Sequence, residues 1–437
     1  MKRIIVFSIL ALSASLSFAQ IKSGPMLGYS DMREVLLWVQ TEKEANVKFV
    51  YWDKENPSEK FSTAIVHTNK QSAFVAKAIA DEVLPSKKYD YEVWVNKKKM
   101  NFSYPLTFQT QALWQYRSDP PTFKAAVGSC FYVNEERFDR PGKPYGSDYE
   151  IMTSIYNQHP DLMIWGGDNV YMREPDWSTR TGMNHRYTHT RSLPELQPLL
   201  ASTHHYAIWD DHDGGPNDND RANPAKPVAV ETFRNFWGNL NYIFEDGITS
   251  TFQWADVQFF MMDNRSWRAP NDRKATGARD YLGEKQLQWL IDALSYSNAP
   301  FKIVVIGGQV VNPAKIFETM ANYEEERAKL IDLITKEKIP GVMFLTGDRH
   351  HTVLQKLERA GTYPLYDLTV SSFTAGSSKA VKEEADSPRV EGTLVERHNF
   401  GILEFSGKRT DRVMKINILD KDGKEIWTKQ IKASELR

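Results

Sequence analysis

The second half of the chain alternates between helical and strand patterns, which restricts the fold more than any other feature. Apolar residues recur at helical spacing in Glu284 to Ser295, and the apolar run Lys302 to Ile306 follows as a buried strand. The same order occurs at 149–158 with 162–165, at 193–201 with 206–209, and at 323–338 with 342–345. Such alternation is typical of layered α/β domains. We therefore predict an α/β (α+β layered) domain over residues 120–437.

Residues 22–112 have a different pattern, in which short β-prone runs are separated by turn residues. Leu84 to Tyr91 resembles the corner of fibronectin type III domains, where a tyrosine hydroxyl bonds to nearby backbone. Residues 111–121 end in Asp-Pro-Pro and are typical of a linker. We predict an all-β, fibronectin III-like sandwich over 22–112 that supports the domain after it.

The first nineteen residues are typical of a secretory signal peptide. Lys2 and Arg3 precede a short apolar run, and small residues lead to Ala19. The run is short for a membrane anchor, and no cysteine follows it to carry a lipid. These features predict cleavage after Ala19 and an exported protein, either periplasmic or secreted.

The composition gives little sign of a macromolecular partner. Charges balance at 55 Lys+Arg against 56 Asp+Glu, so neither nucleic acid nor an anionic membrane is indicated. No later stretch is apolar enough to span a bilayer, and the sequence leaves the oligomeric state open. Cys130 is the single cysteine, which excludes an intrachain disulfide. A lone cysteine is often a small packing residue, so other evidence must decide its role.

Four of the predicted strands end in residue types that bind metal ions. The loops after them contain Gly128-Ser129-Cys130, Gly167-Asp168 with Tyr171, Asp211-His212-Asp213, and Gly347-Asp348-Arg349-His350. Because the carboxyl ends of neighbouring strands face one crevice, we expect these side chains to converge. Close carboxylates repel one another unless a cation or proton lies among them. The sequence therefore predicts a site for two or more metal ions.

Together these segments resemble the PhoD-type alkaline phosphatases, within the calcineurin-like metallophosphoesterases. The resemblance covers nearly all of the chain after residue 19. Its motifs are Gly128-Ser129-Cys130, Gly167-Asp168-Asn169-Val170-Tyr171, Trp209-Asp210-Asp211-His212-Asp213 followed by Asn217, Asp263-Asn264-Arg265 through Arg268, Leu282-Gly283 with Gln286, Trp289 and Leu290, and Gly347-Asp348-Arg349-His350. Asp213 replaces the usual glutamate. Gly-Ser-Cys stands in place of the ordinary Asp-x-His opening, which favours the PhoD type over purple acid phosphatases.

The resemblance implies an exported hydrolase that cleaves phosphoric esters with a metal-activated water, and a small phosphoester as substrate. It implies that Asp168 bridges two ions. The implied metal ligands are Cys130, Asp168, Tyr171, Asp211, Asn217, Asp348 and His350. Iron is expected beside the thiolate, phenolate and imidazole, and calcium beside the harder oxygen ligands; zinc or manganese are the other divalent ions considered.

Two further residues are predicted to act on the substrate. His212 is the candidate acid for the leaving oxygen, and Arg265 is the candidate phosphate clamp. The alternative for His212 is that it only supports the metal ligands. The alternative for Arg265 is a surface ion pair. Asp210 and His351 are expected to support the ligands.

The class of substrate remains open at this point. The same metal ions serve phosphomonoesters and phosphodiesters, so a phosphodiesterase or phospholipase D-like enzyme is the first alternative. A non-catalytic exported binding protein is the second. That protein would be expected to have lost a ligand such as Asp168 or His350.

Overall fold

A computed structural model of the chain describes residues 20–274 and 279–437. The predicted signal peptide, residues 1–19, lies outside the described residues. The helices are α1 (Glu150–Asn157), α2 (Arg180–Arg191), α3 (Gln197–Ser202), α4 (Asp211–Gly214), α5 (Lys226–Phe236), α6 (Glu284–Tyr296) and α7 (Glu324–Lys336). Within the described ranges, no helix has the length and apolar character needed to cross a membrane.

Strands account for most of the remaining regular structure. They are β1 (Ile21–Ser30), β2 (Val35–Thr41), β3 (Asn46–Asp53), β4 (Phe61–Ser62), β5 (Val66–His67), β6 (Val75–Ala80), β7 (Lys88–Val95), β8 (Lys98–Lys99), β9 (Thr107–Gln109), β10 (Phe123–Gly128), β11 (Leu162–Gly166), β12 (His204–Ile208), β13 (Ser250–Trp254), β14 (Val257–Met261), β15 (Phe301–Val305), β16 (Val342–Thr346), β17 (Val353–Leu357), β18 (Leu365–Thr369), β19 (Asn399–Ser406), β20 (Val413–Asp420) and β21 (Glu425–Lys432).

Two mixed sheets form the centre of the molecule. A nine-stranded sheet has the order β21-β20-β19-β10-β11-β12-β1-β2-β6, and a six-stranded sheet has the order β13-β14-β15-β16-β18-β17. β10, β11 and β12 are parallel, and so are β14, β15 and β16. The sheets pack face to face, since Phe405 lies with its ring centroid 6.4 Å from that of Phe259 and 5.5 Å from that of Phe301. Their shared interior is the main hydrophobic core.

The mixed α/β architecture predicted from the sequence is confirmed. The predicted helices at 149–158, 284–295 and 323–338 correspond to α1, α6 and α7, and 193–201 divides into a 3-10 turn and α3. The predicted strands at 162–165, 206–209, 302–306 and 342–345 correspond to β11, β12, β15 and β16, and the strand expected before Gly128 is β10. These strands are divided between two sheets: β10, β11 and β12 belong to the nine-stranded sheet, and β15 and β16 belong to the six-stranded sheet.

The N-terminal β segment shares a sheet with the rest of the chain. β1, β2 and β6 extend the nine-stranded sheet, because β1 pairs in parallel with β12 at Leu27 and His204. β3, β4, β5, β7, β8 and β9 form a third sheet. A separate hydrophobic cluster that includes Phe49 lies between this sheet and the nine-stranded sheet. The predicted tyrosine contact is present, since Leu84 N donates to Tyr89 Oη at 2.8 Å.

Candidate metal centre

Strand ends from both sheets meet at one edge of the molecule. Gly347 follows β16, and a Cβ at this position would lie 2.8 Å from the carbonyl oxygen of Gly166 and 2.7 Å from Ser129 Oγ. The Gly347 N–H donates to the Gly307 carbonyl, after β15, at 2.7 Å. Such an approach leaves no room for a side chain, which is why glycine follows the strand. The loops after β10, β11, β15 and β16 therefore form one cluster.

Four of the predicted metal ligands have left-handed backbone conformations. Their φ angles are 60° at Cys130, 53° at Asp168, 64° at Asp348 and 55° at His350. Cys130 is the clearest outlier, because aspartate and histidine adopt this region more readily than other side chains. Each such residue costs on the order of 1–3 kcal/mol and persists where surrounding structure fixes it, which occurs often at functional sites.

Cys130, Asp168, Tyr171 and His350 form the first group of ligands. The ligand atoms of Cys130, Asp168 and His350 lie within 4.8 Å of one another. Tyr171 Oη lies 3.2 Å from Asp168 Oδ2 and 3.2 Å from His350 Nε2. His350 Nδ1 contacts the carbonyl oxygen of Gly376, which leaves Nε2 facing the group. The structure thus brings together the thiol, phenol, carboxylate and imidazole predicted from the sequence.

The thiol and imidazole of this group favour each other's charged form. Burial alone would raise the pKa of Cys130, but His350 and the Ser371 and Ser129 hydroxyls lower that pKa below its usual value. Burial opposes protonation of His350, yet the Cys130 thiolate raises the pKa of His350 to about 9. Burial, followed by the charge of Asp211, raises the pKa of Asp168 well above its usual range. Anionic ligands held this close are suited to a bound cation.

Asp168 also belongs to a second group. Its carboxylate lies within 4.8 Å of ligand atoms of Asp211 and His212. Two adjoining groups also have ligand atoms within 4.8 Å of one another. They are formed by Asp210, Glu318 and Asp348, and by Asp211, Asp218 and Glu318. Asp168 is therefore the residue common to the thiolate group and the Asp211–His212 group, which is the position required of a ligand shared by two ions.

Buried polar atoms without partners test whether this centre fits a metal. Asp210 Oδ2, His212 Nδ1 and Asn264 Oδ1 are among the buried polar atoms of the described residues that have no hydrogen-bond partner. Such atoms are rare because each one costs free energy unless a partner, water or ion satisfies it. Three of them beside clustered carboxylates are consistent with bound cations, so the donor set fits metal ions.

Asn217, a ligand implied by the resemblance, is not among the side chains that the structure buries at the centre. It is exposed in the loop after α4, next to Asp218, whose backbone N–H donates to Asp211 Oδ2 at 2.7 Å. Asn264 is fully buried instead, and its Nδ2 donates to Asp210 Oδ1 at 2.9 Å. The remaining Asn264 oxygen is free to act as a ligand, whereas ligation by Asn217 stays a prediction.

Arg265 is not placed as a free phosphate clamp. Its Nη1 and Nη2 donate to the two carboxylate oxygens of Glu318 at 2.8 and 2.5 Å, and Nε donates to Asp210 at 2.5 Å. Nη1 also donates to the Asn219 carbonyl at 3.0 Å. The side chain is 2% exposed, so it is not a surface ion pair either. Its donors are occupied by protein groups, and the guanidinium holds Asp210 and Glu318 at the base of the centre.

His212 lies at the partly open rim of the second group. Its ring packs on Tyr171 with centroids 4.3 Å apart, and its Nε2 lies 3.9 Å from Asp211 Oδ2. Burial lowers the pKa of the imidazole. Asp213, one residue on, accepts the backbone N–H groups of Asp210 and Asn169 at 2.8 and 3.0 Å and so fixes the turn. This geometry is compatible with proton transfer by His212 and equally with metal ligation.

Comparison with known families identifies the second half of the chain. A family model described as PhoD-like phosphatase matches residues 127–410. The chain belongs to the PhoD-like phosphatase family. A second model, described as a domain of unknown function (DUF7800), matches residues 18–113. Alkaline phosphatase D of Bacillus subtilis (strain 168) is 24% identical over 260 residues, which are 46% of this chain and 43% of that protein. The match therefore spans less than half the length of this relative.

Solved structures confirm the fold of this PhoD-like chain. A structure of PhoD superimposes with a TM-score of 0.77 at 16% identity, over 96% of this chain and 92% of that chain. Purple acid phosphatase PPD1 from yellow lupin (Lupinus luteus) seeds superimposes with a TM-score of 0.69 at 11% identity, over 94% and 74% of the respective chains. Both likenesses extend across the N-terminal β segment as well as the family-matched region.

The sequence interpretation missed Glu318 as a residue of the PhoD-like centre. Glu318 lies in the loop after β15, a fifth strand whose carboxyl end reaches the same edge. Gly307-Gly308 directly follows that strand, and a Cβ at Gly307 would lie 2.4 Å from Asp210 Oδ2. A glycine pair at a strand end was therefore the available signal. The acidic residue itself lies too far along the loop to be recognised by spacing.

Proposed function

We propose that the protein is a metal-dependent hydrolase of phosphoric esters, of the alkaline phosphatase D type. The observation that carries the proposal is that Asp168 belongs both to the thiolate-containing group and to the group with Asp211 and His212. Membership of the PhoD-like phosphatase family supports the reaction class. Phosphomonoesters and phosphodiesters are both proposed substrates, because the same centre serves either reaction.

The ligands divide into two chemical sets. Cys130, Tyr171 and His350 suit a polarising ion, for which we propose iron, and Asp211 and Asp348 suit a harder ion such as calcium. Ions bound there would polarise the phosphoryl oxygens and lower the pKa of water. Asp168 holds the two sides of the centre at a fixed separation. Either Asn217 or Asn264 completes the oxygen ligands.

His212 is proposed to transfer a proton to the leaving oxygen. Its ring is fixed from one side by the Tyr171 ring, and its backbone N–H donates to Asp168 Oδ1 at 3.3 Å. A side chain held in this way presents a nitrogen at the open rim without needing to reorganise, which favours acid catalysis. Arg265 acts through Asp210 and Glu318 and is proposed as a positioning residue.

Cys130→Ser should lose one class of metal ion while the protein remains folded. Serine is nearly isosteric, but its hydroxyl is a much poorer anionic ligand than a thiolate. We expect lower iron content by elemental analysis. The rate should fall by at least about 10- to 100-fold, because this is already the loss for residues that only support metal ligands. Unfolding temperatures of both proteins in chelator provide the control. Unchanged iron content and rate would identify Cys130 as a packing residue.

The stabilisation conferred by metal should decrease as the pH falls. Burial raises the pKa of Asp210 to about 6 and those of Asp168 and Asp348 well above the usual aspartate value. These folded-state pKa values exceed the unfolded ones, so the chelated protein takes up protons and gains stability on acidification. Metal ions must displace those protons. The difference in unfolding temperature between loaded and chelated protein should therefore shrink between about pH 7.5 and about pH 5.5, and a constant or growing difference would contradict this assignment.

The N-terminal segment and the export signal complete the proposal. We propose that residues 22–112 are a fibronectin III-like support for a metallophosphatase domain over 120–437. The Tyr91 hydroxyl, which donates to the Ala201 carbonyl at 2.9 Å, is one contact between them. Export to the periplasm or medium rests on the sequence of residues 1–19. Recovery of protein that begins at Gln20 from those fractions tests it.

A further inference from the structure

A cavity of about 860 Å³ lies at the end of the six-stranded sheet remote from the metal centre. Its lining includes Pro300, directly before β15, and Pro340, just before β16. The metal centre lies beyond the opposite, carboxyl ends of these strands. The cavity is therefore separate from the proposed catalytic site, and its lining shares no residue with that site.

Lys302 is the least expected residue of the cavity wall. It is 1% exposed, yet no hydrogen bond or ion pair of its ammonium group occurs among the described residues. Burial lowers the pKa of Lys302 to about 8, and no neighbouring charge raises it. A lysine so little exposed is uncommon. Its ammonium group is not among the fully buried polar atoms and reaches the cavity rather than a protein partner. An anion in the cavity would supply the missing partner.

Polar side chains adjoin Lys302 across the sheet. Gln258 on β14 is directly opposite Lys302, and Gln253 on β13 is directly opposite Gln258, so all three project from the same face. The amide nitrogens of Gln253 and Gln258 donate to Ala255 O at 2.9 Å and Thr251 Oγ1 at 3.3 Å. Each of these bonds occupies one N–H, so the amide oxygen and the second N–H of each glutamine remain available to the cavity, and the oxygens accept hydrogen bonds from hydroxyl groups.

The other charged groups of the wall favour an anion. The charge of Asp256 is paired with Arg412, which donates to both of its oxygens at 2.9 to 3.1 Å. Arg409 adds a second positive charge, and Trp114 provides an aromatic surface. A wall with cationic groups, amide acceptors and an indole has the composition of a site for a polar ligand with an anionic end.

We propose that this cavity binds a small hydroxyl-rich oxyanion, with its anionic group on Lys302 and its hydroxyl groups on Gln253 and Gln258. The shared chemistry is that of a sugar carrying a phosphate or a carboxylate. This site is independent of the proposed hydrolase activity, since it uses none of the same residues.

Titration calorimetry on the chelated full chain tests the proposal. The probes are glucose 6-phosphate, gluconate, inorganic phosphate and neutral glucose, and the variants are Lys302→Met, Lys302→Arg and the exposed control Lys338→Met. We expect at least one sugar anion to bind, and neutral glucose to bind at least about tenfold more weakly. Lys302→Met should weaken binding of the sugar anion by a similar factor, whereas Lys338→Met should not. Lys302→Arg should retain part of the affinity, and the preferred probe distinguishes a phosphate from a carboxylate.

The stability of the variant separates loss of binding from loss of fold. Lys302→Met removes an unpartnered buried charge, so in the absence of probe it should unfold at the same or a higher temperature than the parent protein. Absence of binding by any anion, or binding that Lys302→Met leaves unchanged, would overturn the proposal. If inorganic phosphate bound as tightly as the sugar anions, the proposed role of Gln253 and Gln258 in binding hydroxyl groups would be contradicted.

Discussion

Asp168→Asn should reduce hydrolysis of phosphoesters by well over about 100-fold, because residues that merely support metal ligands already account for 10- to 100-fold losses. Asp168 is the residue common to the Cys130–His350 group and the Asp211–His212 group. An asparagine has one neutral oxygen in place of two anionic ones, so it cannot serve two ions in the same way. Metal content, measured by elemental analysis after dialysis, should fall together with the rate.

The stability of the same variant distinguishes this interpretation from misfolding. Burial and neighbouring anions raise the pKa of Asp168 well above its usual range, so its ionised form destabilises the chelated protein at neutral pH. In chelator, Asp168→Asn should therefore unfold at the same or a higher temperature. A rate close to that of the parent protein would refute the shared-ligand role.

Asp176→Asn is the matched control for a buried aspartate away from the centre. Asp176 is 2% exposed and accepts hydrogen bonds from Arg186 Nε at 2.8 Å and from the Arg173 N–H at 3.0 Å. This variant should be less stable, because it weakens a buried ion pair. It should nevertheless keep its metal content.

Arg265→Ala should lower the free energy of unfolding by about 3–5 kcal/mol, the range for breaking a buried ion pair. The guanidinium is the shared partner of Asp210 and Glu318. Its charge and that of Arg268 hold the pKa of Glu318 below its usual value despite burial. Removing Arg265 leaves carboxylates buried with too little positive charge. Denaturant unfolding of the chelated protein measures the loss.

A double-mutant cycle with Glu318→Ala tests whether the two side chains act as a pair. The double variant should lose less stability than the sum of the single losses, because neither partner then remains unpaired. Kinetics give a second readout. A residue that positions Asp210 should lower kcat, whereas a direct phosphate clamp that binds substrate and transition state equally would mainly raise KM. If Arg265→Ala raised KM and left the free energy of unfolding unchanged, Arg265 would be a direct phosphate clamp instead.

The parts of the centre that follow directly from strand ends were predictable from sequence. β11 and β16 are continuous apolar runs, so the residues after them had to leave the core. Glycine before Asp168 and before Asp348 marked the sharp turns that return those side chains to the sheet edge. Cys130, Asp168 and Tyr171 follow neighbouring strands of one sheet, whereas His350 joins them only because the two sheets pack together, which the sequence did not show.

The unpredicted parts depend on contacts between distant segments. β1 contains two glycines and a proline and lacks regular alternation, so neither the strand nor its pairing with β12 could be predicted. α2 is rich in polar residues and gave no helical face. Glu318 and Arg265 are 53 residues apart, and only the fold shows that they meet. The choice between Asn217 and Asn264 likewise depends on which side chain the loop buries.

The most direct test is hydrolysis by purified residues 20–437 loaded with iron and calcium. Rates on a chromogenic phosphomonoester and on the matching phosphodiester should be measured before and after chelation, together with bound metal. We predict at least two metal ions per chain and hydrolysis that chelation abolishes and metal restores, with the ratio of the rates assigning the phosphatase or phosphodiesterase reaction. Absence of both bound metal and hydrolysis would contradict the hydrolase and favour an exported binding protein.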